Sequence, residues 1–94
     1  MYEVRYTNRF AKDVRLCIKR GLDISLLENA INILQSQGQL PKEYKPHKLK
    51  GNRQRRMECH IRPDWLRCWR QDDKELILLF INTGTHSDLF NKYL

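Results

Sequence analysis

The segment from residue 75 to residue 82 constrains the fold of this chain more than any other. Its middle, Leu76-Ile77-Leu78-Leu79-Phe80-Ile81, is apolar at every position. A strand formed there would therefore need cover on both faces. Such a strand belongs at the centre of a sheet, with helices over one face and other side chains over the other. The rest of the chain must supply its neighbouring strands and a helical layer.

The N-terminal part of the chain predicts one short strand followed by two helices. Residues 2–6 alternate between apolar and charged side chains, which indicates a half-buried strand. The first amphipathic helix follows, with Thr7 or the residue after it as N-cap and Gly21 as its stop. The second is predicted to open on the capping box Ser25-Leu26-Leu27-Glu28 and to end at Gly38. Two such helices in tandem predict a hairpin packed on a sheet.

Three strands are predicted after the helices. In the first of them two sets of side chains alternate, so that if Met57, Cys59 and Ile61 face the core, then Arg56, Glu58 and His60 share the outer face. Pro63 interrupts this strand, the next runs from Trp65 to Arg70, and a turn at residues 71–74 leads into the apolar segment. The chain is thus predicted to be a single domain, residues 1–94, of the α+β class. Its short N-terminal strand and three antiparallel strands form a four-stranded sheet packed on the helical hairpin.

The positive charge of the chain is concentrated in one segment. From residue 39 to residue 52 the sequence loses periodicity and indicates a loop. Residues 42–56 hold +6 of the formal net charge of +7, because seven basic residues there stand against Glu43 alone. These seven are Lys42, Lys45, Lys48, Lys50, Arg53, Arg55 and Arg56. Basic side chains this close together repel one another, and the phosphates of a nucleic acid would relieve the repulsion. A loop that only confers solubility is the alternative.

The cysteines and the apolar segments exclude other classes of protein. Cys17, Cys59 and Cys68 are odd in number and lack the spacing of a metal finger, which favours reduced thiols buried as small apolar residues. No run approaches the length of a membrane span, and the N-terminus lacks the apolar stretch of a secretory signal. We therefore expect a cytoplasmic protein.

The histidines are the candidates for chemistry. Cleavage of RNA without a cofactor requires a base for the 2′-hydroxyl, an acid for the departing 5′-oxygen and a site for the negative charge of the phosphorane. A histidine side chain ordinarily titrates near pH 6.5 and can act as base or acid. His47, His60 and His86 lie in polar or glycine-flanked stretches, and Asp64 follows the second of them closely. Trp65 and Phe90 could stack on unpaired bases, although Trp65 could equally belong to the core.

Three motifs together carry a resemblance to a known family. They are His60-x-x-Pro63-Asp64-Trp65, the preceding Lys45-x-His47-x-Leu49-x-Gly51, and the following Thr83-Gly84-Thr85-His86-Ser87-Asp88-Leu89-Phe90. In order and spacing they closely resemble the YafQ branch of the RelE/ParE-type bacterial toxin superfamily. The resemblance implies a type II toxin that enters the ribosomal A site and cleaves translated mRNA without a metal or other cofactor. Its partners would be the ribosome, mRNA and a cognate antitoxin.

The resemblance also implies which residues form the site. The positions that match catalytic and substrate-positioning residues are His47, His60, Asp64, His86 and Phe90, with Trp65 beside them. We expect His86 to be the general acid, His47 or Asp64 to take the 2′ proton, and His60 to orient Asp64 and contact phosphate. The residues expected to bind RNA are Lys45, Lys48, Lys50, Arg53, Arg55, Arg56, Trp65 and Phe90. Arg55 and Arg56 are the candidates for holding the phosphorane charge.

Two features depart from the family pattern, and three other functions stay open. Met57 stands where relatives offer a basic or aromatic side chain, and residues 91–94 extend beyond Phe90. The alternatives are a ParE-like toxin that does not cleave, a plain RNA-binding domain, and a zinc site. The residues of such a zinc site would be His47, His60, His86 and Asp64, although they lack the spacing of a metal motif. The antitoxin is expected to be acidic where it covers residues 42–56.

Overall fold

The apolar segment lies inside a sheet, as the sequence predicts. The structure is a computed structural model and describes residues 1–49 and 56–85. Its elements in chain order are β1 (Glu3–Tyr6), α1 (Asn8–Lys19), α2 (Ile24–Gln37), a 3₁₀ turn (Lys42–Tyr44), β2 (His47–Lys48), β3 (Arg56–Arg62), β4 (Trp65–Asp72) and β5 (Ile77–Thr85). Strand β5 begins two residues later than the predicted segment and ends three residues later, and it has β1 on one side and β4 on the other. The α+β class is confirmed.

The sheet has five strands, where the sequence predicts four. Their order is β1-β5-β4-β3-β2. Strand β1 runs parallel to β5, and the other neighbours are antiparallel. The additional strand is β2, in which His47 pairs with Glu58 and Lys48 pairs with Met57. The prediction of an irregular loop through these residues was wrong, because two residues are too few to show the alternation by which a strand is recognised.

The helices begin and end at identifiable caps. Thr7 is the N-cap of α1 and accepts a hydrogen bond from the backbone N–H of Phe10 at 3.0 Å. Helix α2 begins before the predicted capping box, because its N-cap is Asp23. The Asp23 carboxylate accepts hydrogen bonds from the backbone N–H of Ser25 at 3.0 Å and from its hydroxyl at 2.6 Å. A carboxylate satisfies the donors of a first turn well and also suits the helix dipole. Gly38, with φ 74°, ends α2 as predicted.

Both helices contribute to one core against the sheet. Its buried apolar members are Phe10, Cys17, Leu27, Ala30, Leu34, Leu40, Cys59, Trp65, Trp69, Leu78 and Phe80. The alternation along β3 is as predicted, with Met57, Cys59 and Ile61 packed against this core. The three cysteines are buried, also as predicted, and burial raises the pKa of the Cys59 thiol to about 12. Within the described ranges no helix is long and apolar enough to cross a membrane.

A bulge in β5 joins the sheet to the start of α1. Trp69 lies opposite Phe80 and the residue before Trp69 lies opposite Asn82, so Ile81 is the extra residue. The backbone N–H of Thr7 donates to the Phe80 carbonyl at 3.1 Å, and the Thr7 hydroxyl donates to the Ile81 carbonyl at 2.7 Å. One side chain therefore caps a helix and satisfies the carbonyl that the bulge leaves out of the ladder.

One charged side chain lies inside the core. Arg67 on β4 has no exposed surface, and its guanidinium carbon is 3.7 Å from the centroid of the Phe80 ring and 5.7 Å from that of Trp69. Its three guanidinium nitrogens have no hydrogen-bond partner among the residues that the structure describes. Burial lowers the pKa of this side chain to about 10, because apolar surroundings disfavour its charged form.

A polar cluster ties the turn after β4 to the chain start and to α2. The Tyr2 hydroxyl donates to the Asp73 carboxylate at 2.6 Å. The side-chain amide of Gln71 donates to the same carboxylate at 2.9 Å and to the Gly38 carbonyl at 2.8 Å. The bond from Tyr2, followed by that from Gln71, lowers the pKa of Asp73, and the same bond raises the pKa of Tyr2.

Candidate active site

The imidazole ring of His47 is bound on both sides. His47 lies on β2 directly opposite Glu58 on β3. Its Nδ1 is 2.9 Å from the carbonyl oxygen of Lys45, and its Nε2 is 3.1 Å from a carboxylate oxygen of Glu58. The His47 side chain is 45% exposed, whereas that of Glu58 is 14% exposed. A histidine that solvent can reach is thus held in one orientation.

The backbone that leads into His47 is strained. Lys45 has φ 48°, in the left-handed region, which costs a residue other than glycine roughly 1–2 kcal/mol. The residue before a proline is also normally extended, and Pro46 follows here. The Lys45 N–H donates to the Lys42 carbonyl at 2.8 Å and closes the 3₁₀ turn, while the Lys45 carbonyl accepts from the His47 ring. Strain of this kind concentrates at functional sites.

His60 lies next to His47, and Asp64 lies in the turn that follows. The two ring centroids are 6.3 Å apart. The Nδ1–H of His60 donates to the carbonyl of Pro63 at 3.3 Å. Because a carbonyl can only accept, this bond places a proton on Nδ1. Asp64 is exposed in the turn between β3 and β4. The structure thus brings His47 and His60 together, with Asp64 in the adjoining turn.

Trp65 lies in the core, and its assignment to RNA binding was wrong. The side chain is only 2% exposed and belongs to the core. Its indole N–H donates to the Thr83 hydroxyl at 2.9 Å, so its polar atom is satisfied inside the protein. An indole buried in this way cannot present its face to a base, and the alternative core position is the one observed. Trp65 instead supports the turn that carries Asp64.

The outer face of the sheet carries two arginines side by side. Arg56 on β3 pairs directly with Arg70 on β4. Like charges directly opposite each other destabilise a sheet, and a bound anion would remove that cost. Lys45 is exposed and lines a groove with His60, whereas Lys48 is exposed on the opposite face of β2, near Met57 and Asp73. The other predicted site residues, Lys50, Arg53, Arg55, His86 and Phe90, lie outside the residues that the structure describes.

A family model decides the relationship that the motifs suggest. The model described as "Bacterial toxin of type II toxin-antitoxin system, YafQ" matches residues 2–91. The chain belongs to the YafQ family. It is similar to the mRNA interferase toxin YafQ of Escherichia coli (strain K12), with 35% identity over 89 residues that cover 94% of this chain and 95% of the relative. The resemblance drawn from the three motifs is therefore confirmed.

Solved structures of YafQ-like toxins share the fold. The E. coli DinJ-YafQ complex matches with a TM-score of 0.87 and 33% identity, covering 96% of this chain and 99% of that chain. A metal-bound toxin from Helicobacter pylori matches with a TM-score of 0.87 and 33% identity. The match covers 96% of this chain and 100% of that chain. In residues 1–49 and 56–85 of the present chain, no group of three or more His, Cys, Asp or Glu side chains could hold a metal ion.

Two residues that lie beside the candidate site were given no role in the sequence analysis. Glu58 was placed on the outer face beside His60 but was not assigned a role, although strand alternation alone puts it there. Arg70 was assigned only to a strand. Its position follows from the register of β3 and β4, which sets it opposite Arg56 and which a single strand's pattern does not contain.

Proposed function

We propose that this chain is a ribosome-dependent endoribonuclease, an mRNA interferase that cleaves translated mRNA in the ribosomal A site. The observation that carries the proposal is the pair His47 and His60, 6.3 Å apart on the outer face of the sheet with Asp64 in the next turn. Membership of a toxin family and similarity to an E. coli mRNA interferase support it. Such an enzyme acts where ribosomes are, in the cytoplasm.

The proposed reaction uses the RNA's own 2′-hydroxyl. Its oxygen attacks the adjacent phosphorus, a 2′,3′-cyclic phosphate forms, and the bond to the 5′-oxygen breaks. One proton leaves the 2′-hydroxyl and another reaches the 5′-oxygen. We assign His86 as the acid, Asp64 or His47 as the base, and His60 as the residue that orients Asp64 and contacts phosphate. Each proton-transfer group typically contributes about 10² to 10⁴ in rate.

Basic side chains would hold the phosphate charge. Arg56 and Arg70 can each donate two parallel hydrogen bonds to phosphate oxygens, and an RNA backbone would relieve their mutual repulsion. Lys45 extends this surface, whereas Lys48 lies on the opposite face of β2. From their positions in the sequence, Lys50, Arg53 and Arg55 are assigned to the same role and Phe90 to base stacking. If about five phosphates are neutralised, doubling the salt concentration should weaken RNA binding roughly tenfold.

We propose that the chemistry needs no metal. A histidine, a carboxylate and arginines can supply the base, acid and charge stabilisation by themselves. The metal-bound toxin from H. pylori makes this a question for experiment. Toxin stripped of bound metal with EDTA and then separated from the chelator should cleave mRNA on ribosomes as fast as the untreated protein. Loss of cleavage after stripping, with recovery when a transition metal is added back, would contradict metal-independent catalysis.

We also propose that a cognate antitoxin neutralises the protein. The E. coli relative is seen in complex with DinJ. The antitoxin should be acidic where it covers residues 42–56, since that segment holds +6 of the net charge. Mixing the toxin with its antitoxin at rising salt should then slow association. Association that is independent of salt would argue against an acidic contact.

Primer extension on a defined mRNA in a reconstituted translation reaction tests the central proposal. The wild type, His86→Ala and the exposed-turn control Lys74→Ala are compared with and without ribosomes. In-frame cuts should appear only with ribosomes, vanish in His86→Ala and persist in Lys74→Ala. His86→Ala should still bind, because loss of a proton donor affects the chemical step.

Three results would change the assignment. Blocked translation with an intact message would identify a ParE-like toxin that acts by binding. Cuts that do not need ribosomes would identify a general ribonuclease. Equal loss of binding and cleavage in His86→Ala would count against an acid-base role for His86.

A further inference from the structure

Glu58 is placed to control the chemistry of His47. The two residues are cross-strand partners on β2 and β3, and their ion pair is 3.1 Å long. The Glu58 side chain is only 14% exposed, so its carboxylate has a defined position and little competition from water. Glu58 and His60 are two residues apart on β3, so their side chains lie on the same outer face.

The hydrogen bonds of His47 define where its protons are. The Lys45 carbonyl, 2.9 Å from Nδ1, can only accept a hydrogen bond, and an ionised carboxylate such as Glu58 can also only accept. Both bonds can therefore form together only when both ring nitrogens carry a proton. When both bonds are formed, His47 is a double donor and has no lone pair with which to remove a proton from the 2′-hydroxyl.

Charge supports the same arrangement. Residues 42–56 hold a net charge of +6, and a positively charged His47 adds to it. Arg56 shares the outer face of β3 with Glu58, and Lys45 lines a groove with His60. A carboxylate in contact with the ring offsets the repulsion that a further cation would meet there.

We infer that Glu58 is a positioning residue, which holds His47 as a fixed N–H donor toward the phosphate region and leaves Asp64 as the base. This inference rests on the proposed function, because it assigns roles within that cleavage site. His47 would then contribute charge and orientation to the bound message. Glu58 would act through His47 and not on the RNA itself.

A double-mutant cycle on ribosome-bound mRNA tests the inference. The variants are Glu58→Ala, Glu58→Gln, His47→Ala and the double variant Glu58→Ala/His47→Ala, with exposed Glu75→Ala as the matched control. Single-turnover cleavage in Glu58→Ala should fall about 10- to 100-fold, as for other residues that orient a functional histidine. Glu58→Gln keeps an acceptor oxygen but loses the negative charge, so it should recover part of this loss. The double variant should cleave no more slowly than His47→Ala alone, because the two residues act as one unit.

The outcomes separate this inference from the proposed function. Losses that multiply in the double variant would overturn it, since Glu58 would then act independently of His47. A Glu58→Gln variant as slow as Glu58→Ala would also overturn it and would indicate that Glu58 itself transfers a proton. Equal activity of Glu58→Ala and Glu75→Ala would show that the ion pair has no role. A wild type that leaves the message intact would refute the proposed function itself, whatever the Glu58 variants do.

Discussion

Replacing Arg67 with methionine should make the folded protein more stable. Arg67 is fully buried on β4, and its guanidinium nitrogens have no hydrogen-bond partner in the part of the chain that the structure describes. Methionine is apolar, unbranched and flexible, so it can follow the path of the arginine stem and fill most of its volume. The substitution removes a buried charge from the core without changing the face on which the side chain lies.

The expected change in the free energy of unfolding follows from the cost of burying the Arg67 charge and from the contact that partly offsets it. Burial lowers the pKa of Arg67 from 12.5 to about 10, which corresponds to a cost of about 3 kcal/mol for keeping the side chain charged at neutral pH. The cation–π contact between the Arg67 guanidinium and the Phe80 ring, at 3.7 Å, stabilises the folded state by up to about 2 kcal/mol. Unsatisfied N–H groups add to the cost. We therefore expect Arg67→Met to raise the free energy of unfolding by about 1–3 kcal/mol, the range seen when buried charges are replaced by apolar residues.

Urea unfolding followed by tryptophan fluorescence measures this change, because Trp65 and Trp69 are buried on the same strand. Arg15→Met is the matched control. Arg15 is exposed on α1, and arginine and methionine have similar helix propensities, so its effect should stay within about 0.5 kcal/mol. Arg67→Lys should be less stable than the wild type, since it keeps a charge and loses the planar contact with Phe80.

The reasoning about the core is refuted if Arg67→Met unfolds at a lower urea concentration than the wild type while Arg15→Met is unchanged. In that case the contact of Arg67 with the aromatic rings would be worth more than its burial costs. An equal shift in both variants would point instead to a general effect of net charge.

Three further predictions concern local structure. Lys45→Gly should have a free energy of unfolding in urea about 1 kcal/mol higher than Lys45→Ala. Both variants remove the charge, but only glycine adopts a φ of 48° without strain. Equal stabilities would show that the backbone at this position is not strained. Thr7→Val should cost about 1–2 kcal/mol through loss of the cap on the Phe10 N–H, and an unchanged free energy of unfolding would argue against it. Asp73 has a lowered pKa, so its contribution to stability is present above its ordinary pKa of 3.8 and is lost as the pH falls below it. Tyr2→Phe should flatten this acid-side loss in thermal unfolding between pH 5 and pH 2, and an unchanged pH profile would rule out the Tyr2 bond as its source.

The strands and helices could be predicted largely because their patterns are local. Apolar residues on both faces identified β5, and alternation along β3 correctly divided core from outer face. The cap at Thr7 and the stop at Gly38 depend on single residues with strong preferences, and both were confirmed. The start of α2 was missed because Asp23 and Ser25 are both good caps, and their competition is decided by geometry.

The parts that escaped prediction depend on pairing between distant segments. Strand β2 has only two residues and exists because β3 offers it a partner. Arg67 was assigned to a strand but not to the core, although it stands two residues from both Trp65 and Trp69 and must share their face. Arg67 was not assigned to the core in the sequence analysis because a buried arginine is rare.

The candidate site was predictable as a set of residues but not as an arrangement. The motifs assigned His47, His60 and Asp64, and the structure brings the two histidines together beside the turn that carries Asp64. The bond from His47 to Glu58 joins two strands whose register no local pattern specifies. Trp65 was ambiguous for a physical reason: the same indole suits a core or a base stack, and only its bond to Thr83 decides.

The parallel pairing of β1 with β5 has a consequence for synthesis of the protein. Glu3 lies opposite Ile77, and the Thr7 hydroxyl reaches a carbonyl 74 residues further along the chain. During translation β1 therefore emerges first but has no partner until both helices and every other strand have followed. Contacts this distant in sequence form slowly and leave an unpaired strand edge in the meantime. A nascent chain of this design therefore cannot complete its sheet until β5 has left the ribosome.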